Sequence, residues 1–160
     1  MAASLTHYDD EGRPRMVDVT GKGVSRRFAR AEGRIVMSEA TLERIRSGEL
    51  AKGNPLAVAE LAGIMGGKRT ADLIPLCHAL PGATVAVTAA LDDSLPGVVV
   101  EAEARVSGPT GVEMEALTAV SVALLTVYDM LKAVDRGMRI EGIRLLHKEG
   151  GRSGSWDAGG

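Results

Sequence analysis

Several positions in this sequence could move protons or hold negative charge. Lys52 lies in the punctuated loop Lys52-Gly53-Asn54-Pro55, and loops are where binding and catalytic groups concentrate. Lys132 follows Asp129 by one helical turn. That spacing makes either a surface ion pair or, in a partly buried pocket, a tuned proton donor or acceptor. His78, beside Cys77, could serve as a general acid or base, or as a phosphate ligand near neutral pH. Glu113 and Glu115 are acids at the start of an otherwise apolar stretch. Lys68 and Arg69 follow Gly66-Gly67 and could hold phosphates by charge and by bidentate guanidinium bonding. The set describes an anion-handling enzyme with Lys, Asp, Glu and His as its acid–base groups.

Two tighter motif readings fail. A phosphate loop needs Gly five residues before Gly67 and Ser or Thr after the lysine; here Ala62 and Arg69 occupy those places. A structural zinc site needs more ligands than one Cys and three His, and neither CxxC nor HExxH spacing occurs.

Elements must bring these residues together. Apolar residues dominate from Thr110 to about Val134 without a Pro or Gly after Gly111, which predicts a long helix. Thr110 and Glu113 have the form of a capping box. At 100° per residue Glu115, Asp129 and Lys132 fall on roughly one side and Glu113 elsewhere. Met16 to Thr20 alternates as a short strand would. From Val24 to Met37, Ala29, Ala31, Ile35 and Met37 oppose Arg26, Arg30 and Arg34, the pattern of a strand with one basic face. Ser38 and Gly48 bound one helix; Asn54-Pro55 and Gly66-Gly67 bound another. Residues 72–81, with two prolines, read as a rigid loop. Strands follow at Val85 to Ala89, Val98 to Val106 and Ile140 to Leu146, the first two joined by a hairpin-like turn. This order suits an α+β two-layer domain, a mainly antiparallel sheet with helices on one face. Residues 1–14 read as a flexible arm, 15–149 as one catalytic domain and 150–160 as a flexible tail.

Composition narrows the class. Aromatic residues make up 2% of the 160 residues against 45% apolar, so the core is Ala, Val, Leu, Ile and Met. Small side chains bury little area each, and a shared subunit interface would help. A net charge of −2 argues against a general nucleic-acid coat. The single Cys77 excludes an intrachain disulfide framework and fits a reducing compartment. Met1-Ala2-Ala3-Ser4 leads into polar residues rather than a signal core, and no apolar run reaches the length of a membrane span. The expectation is a soluble cytoplasmic domain.

The wording of several segments is more specific than their chemistry. Met16-Val17-Asp18-Val19, Lys68-Arg69-Thr70, Asp72-Leu73-Ile74-Pro75-Leu76-Cys77-His78, the run from Thr110 to Ala119 and Tyr128-Asp129-Met130-Leu131-Lys132-Ala133-Val134 occur in an order that resembles the MoaC family of molybdenum cofactor biosynthesis. The resemblance extends from about Leu5 to Gly154. It implies a ferredoxin-like fold and a homohexamer, a trimer of dimers with active sites at the dimer interface. It also implies cyclic pyranopterin monophosphate synthesis from a cyclised GTP intermediate, with pyrophosphate released. That chemistry needs no redox cofactor, whereas Mg2+ is possible. By matched position, Lys52, Asp129 and Lys132 would be catalytic. Cys77, His78, Glu113, Met114, Glu115, Lys68, Arg69, Lys148 and Arg26 would bind substrate. No residue is assigned with certainty to a metal. Glu60 replaces a residue that is often basic in the family, and its mid-helix place reads as surface variation. Two other classes stay open: a non-catalytic binder of an anionic metabolite, and a phosphohydrolase.

Overall fold

A computed structural model describes residues 6–159. Residues 1–5 of the expected arm, including the segment examined for a signal, and residue 160 of the expected tail lie outside the described residues. The elements are β1 (Ser25–Val36), α1 (Glu39–Ser47), α2 (Pro55–Lys68), α3 (Thr70–Leu73), β2 (Thr84–Asp92), β3 (Gly97–Gly108), α4 (Glu113–Leu131), β4 (Arg139–Glu149) and β5 (Trp156–Asp157). The strands form one antiparallel sheet in the order β2-β3-β1-β4-β5.

The alternation in β1 does what the period of two requires. Ala29, Ala31 and Ile35 are buried under α4, while Arg26, Arg30 and Arg34 are exposed on the other face. β3 supplies Val98, Val100, Ala102 and Ala104 to the same interior. α4 closes it with Ala116, Ala119, Val120, Ala123, Leu124, Val127 and Leu131. By length and composition α4 is apolar enough to cross a membrane, contrary to the expectation that no run would be. Here that apolar character is spent on the sheet and on α2, which lies alongside α4 and over β2.

The caps of the two shorter helices follow the sequence. Ser38 Oγ accepts from Thr41 N at 3.2 Å, and Gly48 ends α1 at φ 73°. Asn54 Oδ1 accepts from Leu56 N at 3.0 Å and from Ala57 N at 3.4 Å, with Pro55 opening α2.

Other expectations give way to longer-range contacts. Gly66-Gly67 does not stop α2, which runs on to Lys68. A Cβ at Gly66 would come within 2.6 Å of Val122, and one at Gly67 within 3.0 Å of the Glu115 carbonyl oxygen. These glycines let two helices approach. Thr110 and Glu113 form no capping box; α4 starts after Val112 with no side-chain cap. Met16 to Thr20 is not a strand. Asp18 Oδ1 instead accepts from Thr20 N at 2.9 Å and from its hydroxyl at 2.7 Å, closing a local turn. The expected loop at 72–81 begins later, because α3 takes its first residues. Glu60 is no surface variation: half-buried, its Oε1 accepts from Ala89 N at 2.9 Å and ties α2 to the edge strand β2. Within the expected tail, Trp156 and Asp157 pair with Lys148 and His147 as a fifth strand.

Candidate active site

The start of α4 holds one group of the expected residues. Glu115 is 4% exposed, and its Oε2 has no hydrogen-bond partner. Burial pushes its carboxyl above the usual carboxylate range, and the negative charge of Glu113 pushes the same way. Cys77 Sγ lies 4.0 Å from Glu115 Oε1. Burial raises the thiol's pKa, with Glu115 and Glu113 adding to it, so Cys77 is a neutral thiol rather than a nucleophilic thiolate. Next to it, His78 Nε2 donates to the Val17 carbonyl at 2.7 Å. That bond draws the N-terminal segment to the site. Lys68 and Arg69, at the end of α2, line a cavity that also includes Glu115. Met114, 37% exposed, is the apolar side chain between the two acids.

The end of α4 holds the other group. Lys132 Nζ lies 2.7 Å from Asp129 Oδ1, both side chains largely exposed. The hydrogen bond and charge of Lys132 hold Asp129 below the usual carboxylate range, and the ammonium of Lys52 contributes. The charge of Lys52, in the loop between α1 and α2, thus reaches the pair. Lys132 is correspondingly held above the ordinary lysine value by Asp129. It is an ammonium at neutral pH, a group that can give a proton.

A basic cavity of about 580 Å³ joins the first group. It is lined by Lys22, Ser25, Arg27, Glu113, Lys148 and Arg152, with glycines 111, 150 and 151. Ser25 Oγ is buried and has no partner. Arg26, next to Arg27 in β1, lines an adjoining cavity with Phe28 and Arg105; Arg27 and Glu149 border both. Among the described residues, no three of His, Cys, Asp and Glu converge to hold a metal.

Glu115 and Asp129 share no site in this chain, because the 1.5 Å rise sets positions 115 and 129 about 21 Å apart. Sequence reasoning missed Arg27, Lys22 and Arg152. Arg27 carried a readable signal: it shares the parity of Ala29 and Ala31, a charge on the inward face of β1. Its guanidinium donates to the carbonyls of Gly108 at 3.4 Å and Pro109 at 3.2 Å, fastening the approach to α4.

Comparison with known proteins falls on the same residues. The sequence matches the MoaC family over residues 16–151, a span that holds Arg26, Lys52, His78, both helix ends and Lys148. It is 64% identical over 156 residues to a cyclic pyranopterin monophosphate synthase of Methylobacterium sp. (strain 4-46), covering 98% of each chain. Proteins of the same name from Cereibacter sphaeroides (strain KD131 / KCTC 12085) and Parvibaculum lavamentivorans (strain DS-1 / DSM 13023 / NCIMB 13966) are 60% and 58% identical, again over 98% of each chain. With a family match over most of its length and relatives of 58–64% identity, the chain belongs to the MoaC family.

Proposed function

We infer that this protein is a lyase that converts 3',8-cyclo-7,8-dihydroguanosine 5'-triphosphate to cyclic pyranopterin monophosphate, releasing pyrophosphate, in molybdenum cofactor biosynthesis. The observation that carries the reading is the match along 98% of the chain, and the Asp129–Lys132 ion pair, within reach of the Lys52 charge, supports it. Lys132, held protonated by Asp129, gives a proton to the rearranging ring system. Lys52 is the other general acid or base of the set. Glu115 is a buried acceptor without a partner, and the N–H groups of a guanine-derived ring would satisfy it. Cys77, His78 and Met114 border that end. Lys148, Lys68, Arg69 and Arg26 bind phosphates, and the cations of the basic cavity stabilise charge as pyrophosphate leaves.

The 21 Å between the helix ends supports a site shared by two copies of the chain. Neither end alone supplies both the proton carriers and the buried acceptor. An apolar patch, Val58, Leu61 and Met65 of α2 with Leu125 of α4, is 42–60% exposed and suits subunit packing. The reading is therefore a cytoplasmic homohexamer, a trimer of dimers with active sites between subunits. The fold is ferredoxin-like: leaving aside the short α1, α3 and β5, the elements run β-α-β-β-α-β, and the strands stand in the order 4-1-3-2. No redox cofactor takes part, because the radical chemistry belongs to the preceding enzyme. Mg2+ enters with the triphosphate, as this ion usually takes one or two carboxylates plus substrate phosphates; Glu113 is the carboxylate in the basic cavity.

The test is anaerobic incubation with the cyclised GTP intermediate. Product is followed as a fluorescent pterin after oxidation, together with pyrophosphate. Stoichiometric appearance of both is expected. Neither product from folded protein would overturn the synthase reading in favour of a binding protein; pyrophosphate from plain GTP would point to a phosphohydrolase.

A further inference from the structure

His147 of β4 stands between two carboxylates. Its Nδ1 is 2.6 Å from Asp157 Oδ1 and its Nε2 is 2.9 Å from Glu149 Oε1. Two acceptors at the two ring nitrogens are both satisfied only by the imidazolium, which donates from each. Phe28 of β1 tilts against the ring at 5.8 Å, and Arg105 of β3 rests over Phe28 at 5.0 Å from its centroid. Arg30 is the β1 residue opposite His147 in the register, and Lys148 follows it in β4. These cations oppose a charge on the ring. The carboxylates in direct contact outweigh them, Asp157 first and Glu149 next, and hold His147 above the ordinary imidazole value.

Asp157 belongs to β5, which is only Trp156 and Asp157. The other ties of β5 to β4 are its ladder with His147 and Lys148 and the bond from Ala158 N to the Leu146 carbonyl at 2.8 Å. The turn between the two strands supplies Gly150, Gly151, Arg152 and Ser153 to the basic cavity. Lys148 donates to Ser153 Oγ across that turn. Whatever holds β5 in place therefore holds one wall of the cavity.

We propose that His147 is a positioning residue whose protonated ring clamps β5 to β4 through Asp157, setting Lys148, Arg152 and the 150–153 turn as the wall that receives a polyphosphate. The polyphosphate half rests on the site reading above; the clamp stands on its own contacts. The sign follows from the raised value. The charged, doubly donating clamp is fully present below about pH 6.5, the ordinary imidazole value; as pH rises through the higher value of the folded protein the ring loses its charge and one of its two donors, and the clamp weakens.

Trp156 is the single tryptophan of the chain, so acrylamide quenching of its fluorescence reads β5 docking without substrate. Between about pH 6 and about pH 9 quenching of the full-length protein should rise. His147→Gln and Asp157→Asn should quench strongly at every pH, and the double variant no more than either single one. Inorganic triphosphate is the second probe. Its dissociation constant at about pH 6 should rise about threefold or more in His147→Gln and match wild type at high pH. The same pH profile of quenching in wild type and His147→Gln would overturn the clamp. Altered quenching with unchanged triphosphate affinity would overturn its role at the cavity. Neither measurement uses turnover, so a failed synthase assay leaves this result readable.

Discussion

The two ends of α4 carry acids of nearly the same chemistry in opposite surroundings. At the start, Glu115 is buried against the cavity that Lys68 and Arg69 line, its carboxyl raised by burial and one oxygen without a partner. At the end, Asp129 is in water and lowered by two lysines. The difference shows that helical phase did not decide their protonation. Burial acts on one and neighbouring charge on the other. A buried acceptor that lacks a partner is suited to recognise a ligand's N–H. An exposed acid paired to lysine keeps that lysine charged and aimed.

The comparison is open to direct attack. The largest effect is expected at the exposed end. Lys132→Ala and Lys52→Ala should each lower turnover by about 10²-fold or more, with melting temperature unchanged; normal turnover in either removes that residue from the acid–base set. Structural damage to the helix joining the two ends comes next. Leu124 is fully buried, and Leu124→Ala should cost about 2–5 kcal/mol in denaturant unfolding. Gly66→Val should cost about 1–3 kcal/mol by forcing α2 away from Val122. Smaller again, Lys148→Ala should raise KM about tenfold with little change in kcat, which steady-state kinetics would separate from the effect at Lys132.

The finest contrast is in pH. Glu115 has a raised folded value, so its ionisation costs stability, and that cost grows as pH rises above about 4.3, the ordinary glutamate value. Glu115→Gln should therefore melt higher than wild type near neutral pH, and the gain should vanish in acid. Asp129 has a lowered value, so Asp129→Asn should melt no higher than wild type at neutral pH. Melting curves of both variants across pH check the pair, and equal behaviour would erase the distinction between the two ends.

Much of this molecule was legible because its signals are local. The alternation of Ala29, Ala31 and Ile35 against three arginines showed which face of β1 is inner, and Ser38, Asn54 and Pro55 marked real helix starts. The misread signals were those answered from far along the chain. Gly66 and Gly67 looked like a stop because the partner helix, Val122 and the Glu115 carbonyl among it, lies some fifty residues on. Glu60 looked like a surface residue because the amide it satisfies belongs to β2. His147 attracted no notice, since neither the β4–β5 pairing nor the clamp by Asp157 is visible in a Gly- and Ser-rich tail.

What the amino-acid order determined by itself is the main strands and helices, their inner faces and the reactive side chains, because polarity period and capping act within a few residues. Only the tertiary structure decided how those side chains are grouped. It placed Lys52 with Asp129 and Lys132, Cys77 with Glu115, and Arg27 beneath the loop that opens α4. The physical reason is that burial and charge coupling depend on distance in space, and contacts between residues far apart in the chain are set only by packing.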